Sequence, residues 1–177
     1  MSPFIENMSI TDLGFGGGFS LWGFRAIASG RGHCCKLKHG FERAFVANNK
    51  AVRQAEGSTV GKRALSALMT FCHQMGNTGR RTIKISESGT MRITRHELSI
   101  IAALAHAQAG NKEKCQSILP WLLGTANTRS TYQAAQVYGV ICADAGIYIN
   151  APRLRLSQPV SSSVRQSENI QLTRLLH

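Results

Sequence analysis

Acidic residues are in short supply in this chain. Nine Asp and Glu stand against 21 Lys and Arg over 177 residues, a formal net charge of +12. Nine widely spaced acids leave little room for the paired carboxylates of general acid–base chemistry. Aromatic residues make up only 7%, so much of the core has to come from Leu, Ile, Val and Ala. No apolar run approaches the ~18 residues of a membrane-spanning helix. The N-terminus lacks the basic, apolar and small-residue segments of a secretory signal. No motif amounts to a catalytic signature. The length fits one domain with ragged ends.

Five cysteines are present, an odd number. Cys34 and Cys35 are adjacent, and Cys72, Cys115 and Cys142 each fall inside a helix-like pattern. That arrangement reads as buried thiols in a reducing compartment rather than a disulfide framework, so a cytoplasmic location is expected. The excess of positive charge favours an acidic partner, with nucleic acid ahead of an acidic protein or an anionic membrane surface. Two basic doublets stand out, Lys62-Arg63 and Arg80-Arg81.

The apolar periodicity predicts about five helices. Gly14-Phe15-Gly16-Gly17-Gly18 reads as flexible punctuation, with helical character beginning near Leu21 and a second short helix carrying Cys35, Leu37, Phe41 and Phe45. A third helix opens at Ser58 or Thr59 and carries Ala64, Leu65, Leu68, Phe71, Cys72 and Met75 on one face. Thr82 to Ser86 and Met91 to Ile93 read as a β-hairpin around Glu87-Ser88-Gly89-Thr90. Thr94-Arg95-His96-Glu97 is a capping box, and the helix it opens is apolar nearly all round, as a central buried helix should be. Gly110-Asn111 separates it from a helix with Cys115, Ile118, Leu119 and Leu122 on one face, which Pro120 is expected to kink or restart. The last helix, from about Ser130 to Ala145, has a stripe of Ala134, Val137, Tyr138, Ile141 and Cys142. Beyond Pro152 the composition turns to Ser, Arg, Gln and Pro, which suits a disordered tail.

Several constellations bear on chemistry. His33, Cys34, Cys35 and His39 form the densest group of metal-ligand types, with Cys72-His73 further on. Adjacent residues on a helix point about 100° apart and rarely both ligate, and Cys72 belongs to an apolar stripe. A closed zinc site is not expected. Gly57-Ser58-Thr59-Val60-Gly61-Lys62-Arg63 is one residue short of a phosphate-binding loop, and Arg63 stands where a Mg²⁺-binding hydroxyl would be needed. A helix start with free N–H groups and Lys62-Arg63 in its first turn would still attract anions. The helical hairpin around Gly110-Asn111 has the punctuation of a helix-turn-helix, presenting Lys112, Lys114 and Gln116.

The region from Trp22 to Gly146 resembles a family of small uncharacterised helical proteins from alphaproteobacteria. The pieces that carry the resemblance are Phe24-Arg25-Ala26-Ile27-Ala28, Gly40-Phe41-Glu42 and the Ala64 to Gly76 helix. Ile93-Thr94-Arg95-His96-Glu97 leading into Ala105-His106-Ala107-Gln108-Ala109, then Trp121-Leu122-Leu123 and the last amphipathic helix, complete it. The resemblance implies a compact helical domain and no activity.

The sequence therefore predicts a mainly α protein: a flexible segment over 1–17, a single helical domain over 18–150 with a β-hairpin near 82–93, and a disordered basic tail over 151–177. The expected function is a small basic binding or regulatory protein. Its nucleic-acid contacts are assigned to Lys62, Arg63, Arg80, Arg81, Lys112 and Lys114, with no cofactor, no metal and no catalytic residue. The alternative is a small enzyme or metal-binding protein that uses the Cys and His residues of the first half.

Overall fold

A computed structural model describes residues 4–48 and 54–152. Strand β1 (Phe4–Ser9) leads through a 3₁₀ turn (Ile10–Leu13) into α1 (Gly14–Ala26). Then follow α2 (Cys35–Asn48), α3 (Gln54–Thr78), β2 (Arg92–Thr94), α4 (Arg95–Gln108), α5 (Lys112–Leu123) and α6 (Arg129–Asp144). The chain is mainly α, with six α-helices and one two-stranded antiparallel sheet among the described residues. None of these helices is long and apolar enough to cross a membrane. The segment expected to form a tail lies outside the described residues from residue 153 on.

Helix α4 is the centre of the core. Leu98, Ile100, Ile101, Ala103 and Leu104 are all buried, and the helix packs on α1, α5 and α6. Its start is built as the capping box requires. The Glu97 N–H donates to Thr94 Oγ1 at 3.1 Å, and the Thr94 N–H donates to Glu97 Oε2 at 2.8 Å. Helix α3 packs between α2 and α6 and sends Leu68, Phe71 and Met75 into the same core.

The glycine-rich start departs from the flexible segment expected over 1–17. Residues 4–9 are a strand, and Gly14 to Gly18 belong to α1. The physical reason is close packing. A side chain at Gly16 would collide with the backbone carbonyl of Tyr148, and one at Gly23 would come within 2.9 Å of Leu68 and of the Phe41 ring. Glycine usually weakens a helix, and here the loss is offset by letting the helix backbone approach its neighbours.

The β element at Met91–Ile93 also has a different partner from the one expected. Strand β2 pairs with β1, with Phe4 opposite Thr94 and Ser9 opposite Arg92. Residues 82–86 form no strand and run beside the start of α4 instead, where the Thr94 hydroxyl donates to the Lys84 carbonyl at 2.8 Å.

Two further expectations give way. Val137 is 55% exposed and Ile141 half-buried, because α6 buries Thr131, Ala134, Ala135, Tyr138, Gly139 and Cys142 instead. That face is centred about a third of a turn away from Val137. Helix α5 also runs unbroken through Pro120 to Leu123 and closes at Gly124, whose N–H donates to the Pro120 carbonyl at 2.9 Å.

Candidate nucleic-acid interface

The two basic doublets do not share a face. Helix α3 begins at Gln54, so Lys62-Arg63 sits in its third turn, where the backbone N–H groups are already used by the helix. The expected anion site at a helix start is absent there. The glycines of the loop-like motif do something else. Gly57 and Gly61 are one turn apart on α3 and face α2, and a side chain at Gly61 would lie 2.8 Å from Glu42 Cα and the Phe41 carbonyl. They form a small-residue seam that lets two helix backbones touch. Lys62 is turned to the same neighbour, with Nζ 3.6 Å from Glu42 Oε1. Arg63 is exposed. From Lys62 to the end of α3 is roughly 24 Å at ~1.5 Å per residue, which places the other doublet at the far end of this helix.

Arg80-Arg81 follows α3 and meets the C-terminal half of α5. The Arg80 N–H donates to the Leu123 carbonyl at 2.7 Å. Arg81 Nη1 donates to the Trp121 carbonyl at 2.9 Å, and its guanidinium lies over the Trp121 ring, 5.4 Å from the centroid. The His96 ring is 5.6 Å from the Trp121 ring at an angle of 58°. His96 Nδ1 accepts from the Lys84 N–H at 2.8 Å, which ties the 82–86 segment to α4. Partial burial lowers the His96 pKa, and the charges of Arg81 and Lys84 lower it further.

Lys114 extends this cluster. It lies seven residues before Trp121, on the same face of α5 and ~10 Å away along the axis. It also helps to lower the pKa of His106, after partial burial. Lys112 is about half a turn round from Trp121 and points elsewhere. The structure thus brings Arg81 and Lys114 into one strip with Lys84, His96 and Trp121, ties Arg80 to its edge through the backbone bond to Leu123, and leaves Lys62, Arg63 and Lys112 apart from it. Trp121 is 48% exposed. Among the described residues no acid lies within ion-pair distance of Arg80, Arg81, Lys84 or Lys114.

Sequence reasoning missed Trp121, His96 and Lys84 as members. The capping box accounts for the neighbours of His96, and Trp121 sits among apolar residues that read as core. Only the seven-residue spacing from Lys114 to Trp121 could have linked any of them.

The most heavily satisfied polar group is elsewhere and is buried. Arg25 Nε donates to Glu97 Oε1 at 2.7 Å and Nη2 to Oε2 at 3.0 Å, with the two side chains 2% and 0% exposed. Arg25 Nη1 also donates to the Thr90 carbonyl, Nη2 to the Arg92 carbonyl, and the Ser86 N–H to Glu97 Oε1. Burial acts to raise the Glu97 pKa, but the hydrogen bonds from Arg25, Thr94 and Ser86 outweigh it and hold the carboxyl below its ordinary value. This pair fastens α1 to the loop before α4 and has no route to solvent chemistry.

The thiols divide in two. Burial pushes Cys72, Cys115 and Cys142 up to about 12, where a thiolate is negligible at neutral pH. Cys35 is exposed rather than buried, and Cys34 is half-buried. No group of three or more His, Cys, Asp and Glu suited to a metal ion occurs among the described residues. The core hydroxyl of Tyr138 lies 2.8 Å from Ser20 Oγ, and burial raises its pKa well above the ordinary value. A shallow groove between α3 and α6, lined by Ala67, Thr70, Gln74, Ser130, Gln133 and Val137, contains no titratable group.

Comparison with protein families, with curated proteins and with solved structures finds no match for this chain.

Proposed function

We propose that this protein binds nucleic acid through phosphate contacts along the strip formed by Arg80, Arg81, Lys84 and Lys114. One observation carries the reading: Arg81 and Lys84 both act on His96, Lys114 lies on the Trp121 face of α5, and no acid is within ion-pair distance of these cations among the described residues, whereas Lys62 has Glu42 beside it. Unpaired cations on one face attract a polyanion and release its counterions on binding. The binding is tolerant of sequence, because phosphate contacts carry no base information. A cytoplasmic, regulatory role is consistent with such a module.

The test is a salt titration with labelled duplex DNA. Log K should fall linearly with log salt, at about 0.9 per phosphate contacted. Replacing Arg81, Lys84 and Lys114 by Gln should flatten the slope by about two to three contacts, whereas replacing Lys62 and Arg63 should change it by less than about one. Absence of any retardation at low salt sinks the proposal, and so does equal flattening by both sets.

A further inference from the structure

The Trp121 ring is the part of this strip that phosphate binding does not explain. The residue lies on the side of α5 opposite its buried face, which is made by Cys115, Leu119, Leu122 and Leu123. The ring is therefore displayed rather than stored, and it is 48% exposed in a chain poor in aromatic residues. It is also held in one pose. The Arg81 guanidinium covers part of it at 5.4 Å, the Arg81 Nη1–Trp121 carbonyl bond fixes that guanidinium, and His96 sits 5.6 Å away on the α4 side. Fixing an exposed aromatic ring in advance removes the entropy cost of ordering it on binding. Around it stand Arg80, Lys84 and Lys114, all exposed.

A flat ring set among cations matches one kind of polyanion better than others. An acidic protein supplies carboxylates, but it does not carry an aromatic face with each charge as a nucleic-acid strand does. Duplex DNA supplies phosphates, but its base faces are already stacked on one another. A single strand offers both a phosphate row and an open π-face for every residue. We propose that Trp121 is a stacking platform, and that the ligand class of this strip is single-stranded nucleic acid. A base lies on the exposed part of the Trp121 ring while the adjoining phosphates meet Arg80, Lys84 and Lys114. This inference rests on the phosphate-binding reading above and adds strand selectivity to it.

Two probes of equal length separate the two claims, a labelled dT12 strand and a 12-base-pair duplex. Trp121→Ala should weaken dT12 by about 5- to 150-fold, the range expected for loss of one stacked base. The same variant should leave duplex affinity within about twofold and the salt slopes unchanged. Trp121→Phe, which keeps a smaller π-face, should retain most of the dT12 affinity. In a Trp22→Phe background, the remaining tryptophan fluorescence should be quenched by dT12 and not by the duplex. Equal loss on both probes would mean that Trp121 only positions Arg81, and an unchanged dT12 affinity would mean that the ring takes no part. Either result overturns the stacking claim while phosphate binding stands. If the native chain binds neither probe at low salt, both claims fall together.

Discussion

The Glu97 carboxylate accepts from the Arg25 guanidinium, from the Thr94 and Ser86 amides and from the Ser86 hydroxyl. Removing it leaves a buried cation with only two carbonyls to face. Glu97→Ala should therefore cost about 3–5 kcal/mol by denaturant unfolding, because a single buried charge is left uncompensated. The folded-state pKa is below the unfolded one, so this stabilisation is fully present above the unfolded carboxylate value of about 4.3 and is lost as pH falls below it. The acid arm of the stability curve should be shallower in Glu97→Gln than in the native chain. Two apolar residues make a second comparison. Leu104 is completely buried and Val137 is not. Leu104→Ala should cost about 2–5 kcal/mol, while Val137→Ser should stay within about 0.5 kcal/mol by the same measurement. At this scale the capping role of Glu97 was legible in the spacing Thr94-x-x-Glu97. Its partnership with Arg25 was not, since nothing local marks two residues that meet across 72 positions.

Among the elements, α4 was the easiest to read. A capping box and an apolar circumference both arise within one stretch of chain, so local sequence suffices. Helix α1 was the hardest. Glycine marks a flexible turn and a close backbone contact with the same letter, and only the position of Tyr148 behind Gly16 decides between them. The same ambiguity governs Gly57 and Gly61, where a resemblance to a phosphate loop turned out to be a helix–helix seam. Gly61→Ala tests that seam. On helix propensity alone the substitution should stabilise by about 1 kcal/mol. Because its Cβ would lie 2.8 Å from backbone atoms of α2, overpacking should prevail and cost about 1–3 kcal/mol, read as a lower melting temperature. Strand β2 was placed correctly and paired wrongly, because alternation identifies a strand without naming its neighbour.

Over the whole molecule, charge was legible as a total and not as a map. The sum of +12 says nothing about which cations are already engaged, and the fold decides that by setting Glu42 beside Lys62 and no acid beside Arg81. The same strip gives binding a pH dependence. His96 is pushed toward its neutral form by partial burial and by Arg81 and Lys84, and an arriving phosphate reverses part of that push. Affinity for a nucleic acid should therefore rise several-fold as pH falls from 7.5 toward 5.5, with one additional contact in the salt slope. His96→Gln should remove most of the rise, measured by anisotropy at fixed ionic strength. Stability has the opposite sign. The depressed His96 pKa makes its contribution full above about 6.5 and smaller below, so acid tightens the complex while loosening the free fold.

The pairing of β1 with β2, together with the Arg25–Glu97 bond, also sets a schedule for synthesis. Arg25 leaves the ribosome 72 residues ahead of its carboxylate, a gap of roughly 4–14 s at typical translation rates of ~5–20 residues per second. Through that interval the strand edge and the guanidinium have nothing native to bind, and α1 lacks the Tyr148 backbone against which Gly16 packs. Helix α1 has Phe41 and Leu68 to pack against once α2 and α3 are made, so β1 and the Arg25 guanidinium are the parts of the N-terminal segment that wait for residues 90–97.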